Sequence, residues 1–505
     1  MDVGYKFVEF GIPLLVGAWF FREVWALLGH TDAALPAREP VGRADFRIAA
    51  GIAAAFFLIG LFRLGTPNKL YFDEVHHVRT AMEYIDGLDP HEWTHPPLSK
   101  LFMAASMRVA GVDFNPREGV WNQDAHYPFR WAVAWRLPSL VFGSLSLLFL
   151  YALARSLWGN RIIATASAAL LCFDGVFWTH ARIGMTNSYT VCFILAGTLG
   201  TWKYTQTGKA RWLWLTGLAL GLALATRWSS LWAWGFNGLL LVWHLGTSQW
   251  QAWREEKRTV PSLLGWIGAV GGAMIIIPLL LYTASYIPYV LQGATDRHER
   301  LFSAGEFGPV PWGQAWSENI RANGHGWFKV LNQQADMWRY HAGIKEGHPY
   351  SSRWWTWPLM LRPVWYFYEG VKGNVMGVWS IGNAFLWWAY LPTFAASVYL
   401  CLREKQRALS VVTLFGLGMW LAWGIKPRPL VFMHYLLESV PFLCMALAYL
   451  GWRLWTRGGE GAKRFVEFWA SLIVSWGVFY YPLLSALPIS EAYFRMHLWL
   501  DRIWI

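Results

Sequence analysis

Residues 136–178 read RLPSLVFGSLSLLFLYALARSLWGNRIIATASAALLCFDGVFW: two apolar runs, 136–157 and 161–178, with Arg155 and Arg161 flanking the break between them. A helix needs about 20 mostly apolar residues to cross a bilayer, because lipid cannot satisfy exposed backbone groups. The same criterion, carried outward, predicts spanning helices at 47–65, 188–206, 211–227, 229–246, 262–287, 383–402, 408–424, 432–451 and 466–487, eleven spans in all. The segment 8–29 is interrupted by Arg22 and Glu23 and lacks a small-residue cleavage site. It is read as retained rather than as a signal peptide, and as either a twelfth span or an interfacial helix.

Composition agrees with an all-α integral membrane protein. Of 505 residues, 55% are hydrophobic and only 15% charged, against about 25% charged in soluble domains. The 37 Trp and 21 Tyr suit rings that prefer the membrane–water interface. The four cysteines, Cys172, Cys192, Cys401 and Cys444, lie inside apolar runs and form no disulfide or zinc spacing. The formal charge of +12 is concentrated in alternate connections: Arg38, Arg43 and Arg47; Arg155 and Arg161; Lys203, Lys209 and Arg211; Arg254, Lys257 and Arg258; Arg403, Lys405 and Arg407; and Arg453, Arg457, Lys463 and Arg464. Threading puts all of these on one side, which the positive-inside rule makes cytoplasmic. The charge is a topology signal and implies no nucleic-acid partner.

The resulting organisation is an added N-terminal hydrophobic segment and cytoplasmic loop (1–46), a core (47–287) with a large external loop at 66–135, a long external loop at 288–382, and a C-terminal four-helix region (383–505). Short external turns lie at 179–187 and 425–431. Ionisable residues are rare within the spans and cluster at their external ends, whereas a transporter would more often place them near the midplane. Any chemistry therefore faces outward, at the plasma membrane's extracytoplasmic side.

The first external loop reads NKLYFDEVHHVRTAMEYIDGLDPHEWTHPPLSKLFMAASMRVAG from residue 68. Asp73 precedes a helical stretch ending near Gly87. It is either an N-cap, with Glu74 favourable in the first turn, or a carboxylate held above the bilayer as a general base with a second acid beside it. Capping would itself hold the carboxylate in place. His76, His77, Glu83, His91 and His95 raise the question of a metal, but adjacent His76 and His77 point about 100° apart, unlike an i, i+4 pair. No metal site and no required cofactor is expected. His95-Pro96-Pro97 predicts a rigid entry to a helix from Leu98, with His95 either capping it or lining the site.

FDEVHH followed by HPPLSK resembles the first loop of the protein O-mannosyltransferases, membrane glycosyltransferases of the GT-C fold. The run from Arg136 to Tyr189 is similar to that family's second to fourth spans, and GLALATRWSSLW (221–232) to its fifth-to-sixth turn, where a basic residue precedes Trp. HAGIKEGHPYSSRWWTWPLMLRPVWYFYEG (341–370) resembles the long external loop of bacterial members, and PRPLVFMHYLLESVPFL (427–443) the final block. The likeness covers nearly all of 60–450 in consistent order. It departs at Asn187, where the family's R-I-x-x-x-D, beginning here at Arg182, ends in Asp. Ser99 stands where Gly is frequent, the second loop is too short for the repeat domain of eukaryotic members, and 8–29 is an addition.

The resemblance implies inverting transfer of mannose from polyprenyl-phosphate-mannose to Ser or Thr hydroxyls of secreted proteins. A phosphate leaving group requires no general acid, only a base for the acceptor proton and cations for the departing phosphate. Asp73 takes the role of base by carry-over, and Glu74 would orient the acceptor or a neighbouring cation. Arg227 is the implied phosphate clamp, since a guanidinium fork binds phosphate bidentately. Arg182 and Arg428 would add charge or snorkel to headgroups. His434 and Tyr435 line the lipid-phosphate pocket or pack, and Asn187 points to an altered sugar or acceptor. Trp354, Trp355 and Trp357 read as an interfacial belt or a stacking platform. Two other readings remain: a GT-C enzyme with a lipid or glycan acceptor, such as an aminoarabinose or hexose transferase, and a non-enzymatic transporter or scaffold.

Overall fold

Where water is absent the backbone must satisfy itself, and every one of the expected apolar runs is helical in the protein. The computed structural model describes residues 3–28, 36–116, 125–250, 254–255, 260–291, 327–425 and 428–499. In chain order the first elements are α1 (Val3–Leu28), α2 (Arg43–Leu61), α3 (Glu74–Ile85), α4 (Leu98–Val109) and α5 (Phe129–Trp158). They are followed by α6 (Arg161–Cys172), α7 (Gly175–Ala181), α8 (Asn187–Thr207), α9 (Ala210–Leu224) and α10 (Ser230–His244). Further on come a helix from Leu263 to Ser285 with a π turn inside it, Trp327–Gly343, Tyr390–Glu404, Arg407–Leu421, Val440–Arg457 and Gly459–Leu484.

By length and apolarity alone, five of the described helices suffice to cross a membrane, or six if α6 and α7 count as one span. The centrally placed α8 is long enough but not apolar enough, and its position explains why. It packs against α5, α9 and α10, so its surface meets helices rather than lipid. Its Thr190 and Thr198 hydroxyls bond to carbonyls four residues back, at 3.1 and 2.9 Å. By contrast Leu263–Ser285 leaves Leu264, Ile275, Leu279 and Leu280 exposed, an apolar face suited to lipid and not to water. The N-terminal α1, outside the set of long apolar helices, packs Phe20 and Trp19 onto Trp469 at 4.8 and 5.4 Å.

Two sequence expectations need correction. The run 161–178 is not one straight span: α6 and α7 meet at 70°. Asp174 breaks it by capping α7, its Oδ1 accepting from the Phe177 amide at 2.8 Å while Oδ2 accepts from Trp387 Nε1 at 2.6 Å. Nor is the chain wholly α. Strand β1 (Val364–Val371) pairs antiparallel with β2 (Asn374–Ser380), and β3 (Ile489–Ser490) adds to β2. A two-residue turn at Lys372 and Gly373, both at positive φ, matches the right-handed strand twist.

Contacts separate the molecule into two ends. At one, Arg155 Nε meets Asp45 at 2.6 Å, Trp158 stacks on Tyr449, and Arg453 pairs with Glu404 at 2.7 Å. At the other, the loop 66–116 meets the segment 327–380: Lys69 reaches Glu369 at 3.1 Å, and Gln333 Nε2 reaches the Trp93 carbonyl at 3.1 Å.

Close helix packing gives a direct test. A Cβ on Gly217 of α9 would sit 2.1 Å from the Ala273 carbonyl oxygen, backbone that cannot swing aside. Gly217→Val is expected to cost about 1–3 kcal/mol of stability by overpacking, read as a lowered thermal midpoint of the detergent-solubilised protein.

Candidate active site

The segment before α3 is anchored by a buried cation. Arg136, in the first turns of α5, donates from Nε to Glu74 Oε1 and from Nη2 to Oε2, both at 2.8 Å. Its other donors reach the carbonyls of Leu64, Pro67 and Lys69 at 2.8–3.0 Å. Both side chains are fully buried, and the Gly184 amide donates to Glu74 Oε1 at 2.8 Å. Glu74, expected beside Asp73 as a catalytic carboxylate, therefore faces inward. Its oxygens are taken up by the Arg136 and Gly184 donors.

Asp73 does occupy the N-cap position of α3, but its side chain makes no capping hydrogen bond. The helical φ and ψ of −72° and −4° turn the carboxylate away from the free amides, so the capping reading is not what holds it. Among the described residues it accepts no hydrogen bond, and it lies half-buried within electrostatic reach of His77, His76, Glu92 and Arg227. Burial pushes its carboxyl above the ordinary value, and the two histidines only partly oppose this.

Residues 89–100 form a second wall. Glu92 is buried and accepts from Lys100 Nζ and from His95 Nδ1, the latter at 3.0 Å. Lys100 also donates to the carbonyls of Glu92 and His95, at 2.9 and 2.8 Å, which ties the Pro-Pro entry to its own helix. Burial pushes His95 down to about 3 despite Glu92 beside it, so its ring is neutral. Pro97, not His95, is the N-cap of α4. The Leu98 amide donates to the Ala225 carbonyl at 3.1 Å, bringing this wall against the end of α9. His76 pairs with His91 at 3.2 Å. Among the described residues no three His, Cys, Asp or Glu side chains are disposed to hold a metal.

Beside the second wall lies a cavity of about 290 Å³ lined by His95, Arg227, Trp228, His341, Trp423 and Arg428 among others. Arg227 sits in the α9–α10 turn, 6% exposed, with its guanidinium 4.7 Å over the Tyr435 ring. Among the described residues no protein oxygen accepts from that guanidinium. Arg428 lies over the same ring at 6.0 Å and over Trp423 at 5.8 Å. Its Nη1 donates to His341 Nδ1 at 2.7 Å, and His341 Nε2 donates to the Thr94 carbonyl at 2.9 Å, which assigns the neutral tautomer. Burial and the Arg428 charge hold His341 down at about 4. Two cations with donors to spare, walled by indoles and neutral imidazoles, have the chemistry to receive an anion such as a phosphate.

Arg182 and Asn187, named with these from sequence, do not line the cavity. Arg182 donates to the carbonyls of Gly60, Phe62 and Leu484 at 3.1, 2.8 and 3.4 Å, serving the C-terminal ends of two helices whose last carbonyls lack partners. Its positive charge is engaged there, and a phosphate role is corrected accordingly. Asn187 is 2% exposed at the first position of α8, its Nδ2 without a partner among the described residues. His434 does not line the cavity either, its Nδ1 lying 2.9 Å from the Tyr366 hydroxyl, while Tyr435 is the ring over which the Arg227 and Arg428 guanidiniums lie. Trp357 is fully buried and Trp355 is exposed, so that run divides between packing and surface. Sequence reasoning passed over Arg136, His341 and Tyr366; an arginine at the head of an apolar span was the one available signal, since such a charge requires a partner.

A family model described as dolichyl-phosphate-mannose-protein mannosyltransferase matches residues 52–290. A second, described as the C-terminal four-TMM region of protein-O-mannosyltransferase, matches 326–503. A polyprenol-phosphate-mannose–protein mannosyltransferase of Mycobacterium tuberculosis is 23% identical over 86% of this chain and 86% of its own length. That of Corynebacterium glutamicum is 23% identical over 86% and 88%. In three dimensions the chain is similar to one from the S. cerevisiae protein O-mannosyltransferase Pmt1–Pmt2 complex bound to the sugar donor, with TM-score 0.76, 15% identity, and 96% of this chain and 94% of that chain covered. The GT-C fold is thereby shown.

The two kinds of arginine predict opposite responses. Arg136→Leu leaves Glu74 buried without its partner and is expected to cost about 3–5 kcal/mol. Arg227→Gln removes a buried cation that has the Tyr435 ring but no protein carboxylate or carbonyl as partner among the described residues, so the thermal midpoint should fall far less than for Arg136→Leu, stay level or rise.

Proposed function

The chain belongs to the protein O-mannosyltransferase family of membrane glycosyltransferases, and from that premise we propose that it moves mannose from a polyprenyl-phosphate-mannose donor to Ser or Thr hydroxyls of secreted proteins. The observation that carries the proposal is that a half-buried Asp73 carboxylate, which accepts no hydrogen bond from the described residues, lies within electrostatic reach of the Arg227 guanidinium, which has no oxygen acceptor among them and lines the cavity. Asp73 removes the hydroxyl proton as the acceptor oxygen attacks the anomeric carbon. The bond from that carbon to the phosphate oxygen breaks, and its electron pair leaves on the phosphate. Arg227 and Arg428 meet the charge that develops there, in surroundings dry enough to strengthen the attraction. Attack opposite the leaving phosphate inverts the anomeric centre. The cation asymmetry of the connections supports a site on the extracytoplasmic face of the plasma membrane.

Membranes containing the protein, incubated with labelled polyprenyl-phosphate-mannose and a Thr-rich peptide, should label the peptide. Label recovered in lipid or glycan and not in peptide would mean a different acceptor class. Asp73→Asn is expected to lower kcat by about 10²-fold or more, the usual contribution of a positioned base. Arg227→Ala should cost a similar factor of about 10²-fold through lost charge stabilisation.

The pH dependence follows from the raised carboxyl. A base with a raised pKa is protonated, and so lost, at a higher pH than an ordinary carboxylate. The acidic limb of kcat/KM should therefore lie above about 3.9, the unperturbed Asp value. Activity level down through pH 4 would contradict Asp73 as the titrating base.

A further inference from the structure

Asp73 is followed by the anchored Glu74, yet the residue directly before it has a conformation that needs its own support. Phe72 has φ +50°, in the left-handed region that side chains with a Cβ seldom adopt and that persists only where the surroundings over-determine it. Its ring stacks on Tyr366, centroids 3.8 Å apart and planes 14° from parallel.

Tyr366 is itself displaced from its strand. Trp365 pairs with Trp379 and Phe367 with Val378, so Tyr366 is the unopposed residue of a β-bulge. Bulges re-aim side chains. Here the ring turns into the protein, and its hydroxyl lies 2.9 Å from His180 Nε2 and 2.9 Å from His434 Nδ1. All three residues are buried. A phenol has one proton, so it donates to one imidazole and accepts from the other, and the two rings are held in opposite roles. Phe432 stacks on His434 with planes 10° apart and meets the Phe72 ring edge-on.

We propose that Tyr366 is a positioning residue for the catalytic base: the bulge, the two imidazoles and the Phe72 stack form a clamp that keeps Phe72 left-handed and so aims the Asp73 carboxylate at the acceptor hydroxyl. The clamp draws on four separate stretches, the Phe72 loop, α7, β1 and the turn Met433–Glu438. Ring packing alone would need only an aromatic surface at position 366. The hydroxyl, bonded on both sides, adds direction to the ring, and direction is what a base requires. The inference rests on Asp73 being the base.

Kinetics with polyprenyl-phosphate-mannose and a Thr-rich peptide test it in the full-length protein. Tyr366→Phe keeps the stack and loses both hydrogen bonds. It is expected to lower kcat about tenfold, part of the roughly hundredfold that a 1 Å misplacement costs, at unchanged donor KM. Introduced together with Asp73→Asn, it should cause no further loss. Phe72→Leu, which leaves the His–Tyr–His bonds in place, should reproduce the fall in kcat, and it carries the test if Tyr366→Phe does not fold. Wild-type kcat in either folded variant overturns the clamp. So does a fall in kcat that persists undiminished in the Asp73→Asn background. Full activity of Asp73→Asn alone would instead overturn the assignment of the base, a separate failure.

Discussion

The Arg136 guanidinium has five N–H donors, and the protein supplies five acceptors: both Glu74 oxygens and the carbonyls of Leu64, Pro67 and Lys69. A buried ion pair adds little net stability, because desolvating two charges offsets most of their attraction. What it does here is restrict the chain. Any shift of residues 64–74 relative to α5 would leave a buried donor or acceptor unmet. The Gly184 amide on Glu74 extends the constraint to the α7–α8 turn. Asp73 inherits its place from this arrangement, since the residue after it cannot move.

The arginines of this end fall into two kinds. Arg136 and Arg182 direct their donors to protein oxygens and act as fasteners for loops and helix ends. Arg227 and Arg428 rest on aromatic faces and retain donors directed at the cavity. Aromatic faces stabilise a cation without using its N–H groups, so the charge is held in position and remains available. The flanking imidazoles of His95 and His341 stay neutral through burial, and they neither cancel nor multiply the field. Asp73 feels Arg227, yet burial outweighs that pull and raises its carboxyl. A carboxyl raised by burial and an arginine without an oxygen acceptor among the described residues thus lie within electrostatic reach of each other.

How far the sequence reached depended on the range of the interaction involved. Apolar runs announced their helices because span length is a local property. Pro96-Pro97 announced α4 at Leu98 for the same reason. Asp174 inside an apolar run is a capping signal, but hydropathy averaging hides it, and the α6–α7 bend went with it. The hairpin carries a run of aromatics, Trp365 to Tyr368, ahead of Lys372-Gly373, but a continuous aromatic run lacks the alternation that marks a strand, and no strand was expected there. Arg182 and Arg227 look alike in sequence, each at the end of an apolar run. What divides them is whether carbonyls from residues 60, 62 and 484 come within reach, and no local pattern encodes that. The prominence of Asp73 over Glu74 came from family resemblance, whereas the reason Glu74 is excluded lies 62 residues away at Arg136.

The cavity belongs to neither half of the chain. Its His95 and Arg227 come from the region matched by the first family model, while its His341 and Arg428 come from the region matched by the second. Arg227 reaches its aromatic support only because Tyr435 is delivered by the C-terminal helices, and Asp73 is flanked by Phe72, whose stacking partner Tyr366 is on the hairpin. The first region alone would leave the Arg227 guanidinium without the ring beneath it. Chemistry that needs both a dry carboxylate and an unpaired cation therefore requires the two regions to pack against each other first. Contacts such as Lys69 with Glu369 and Gln333 with the Trp93 carbonyl are where folding of the bundle becomes assembly of the site.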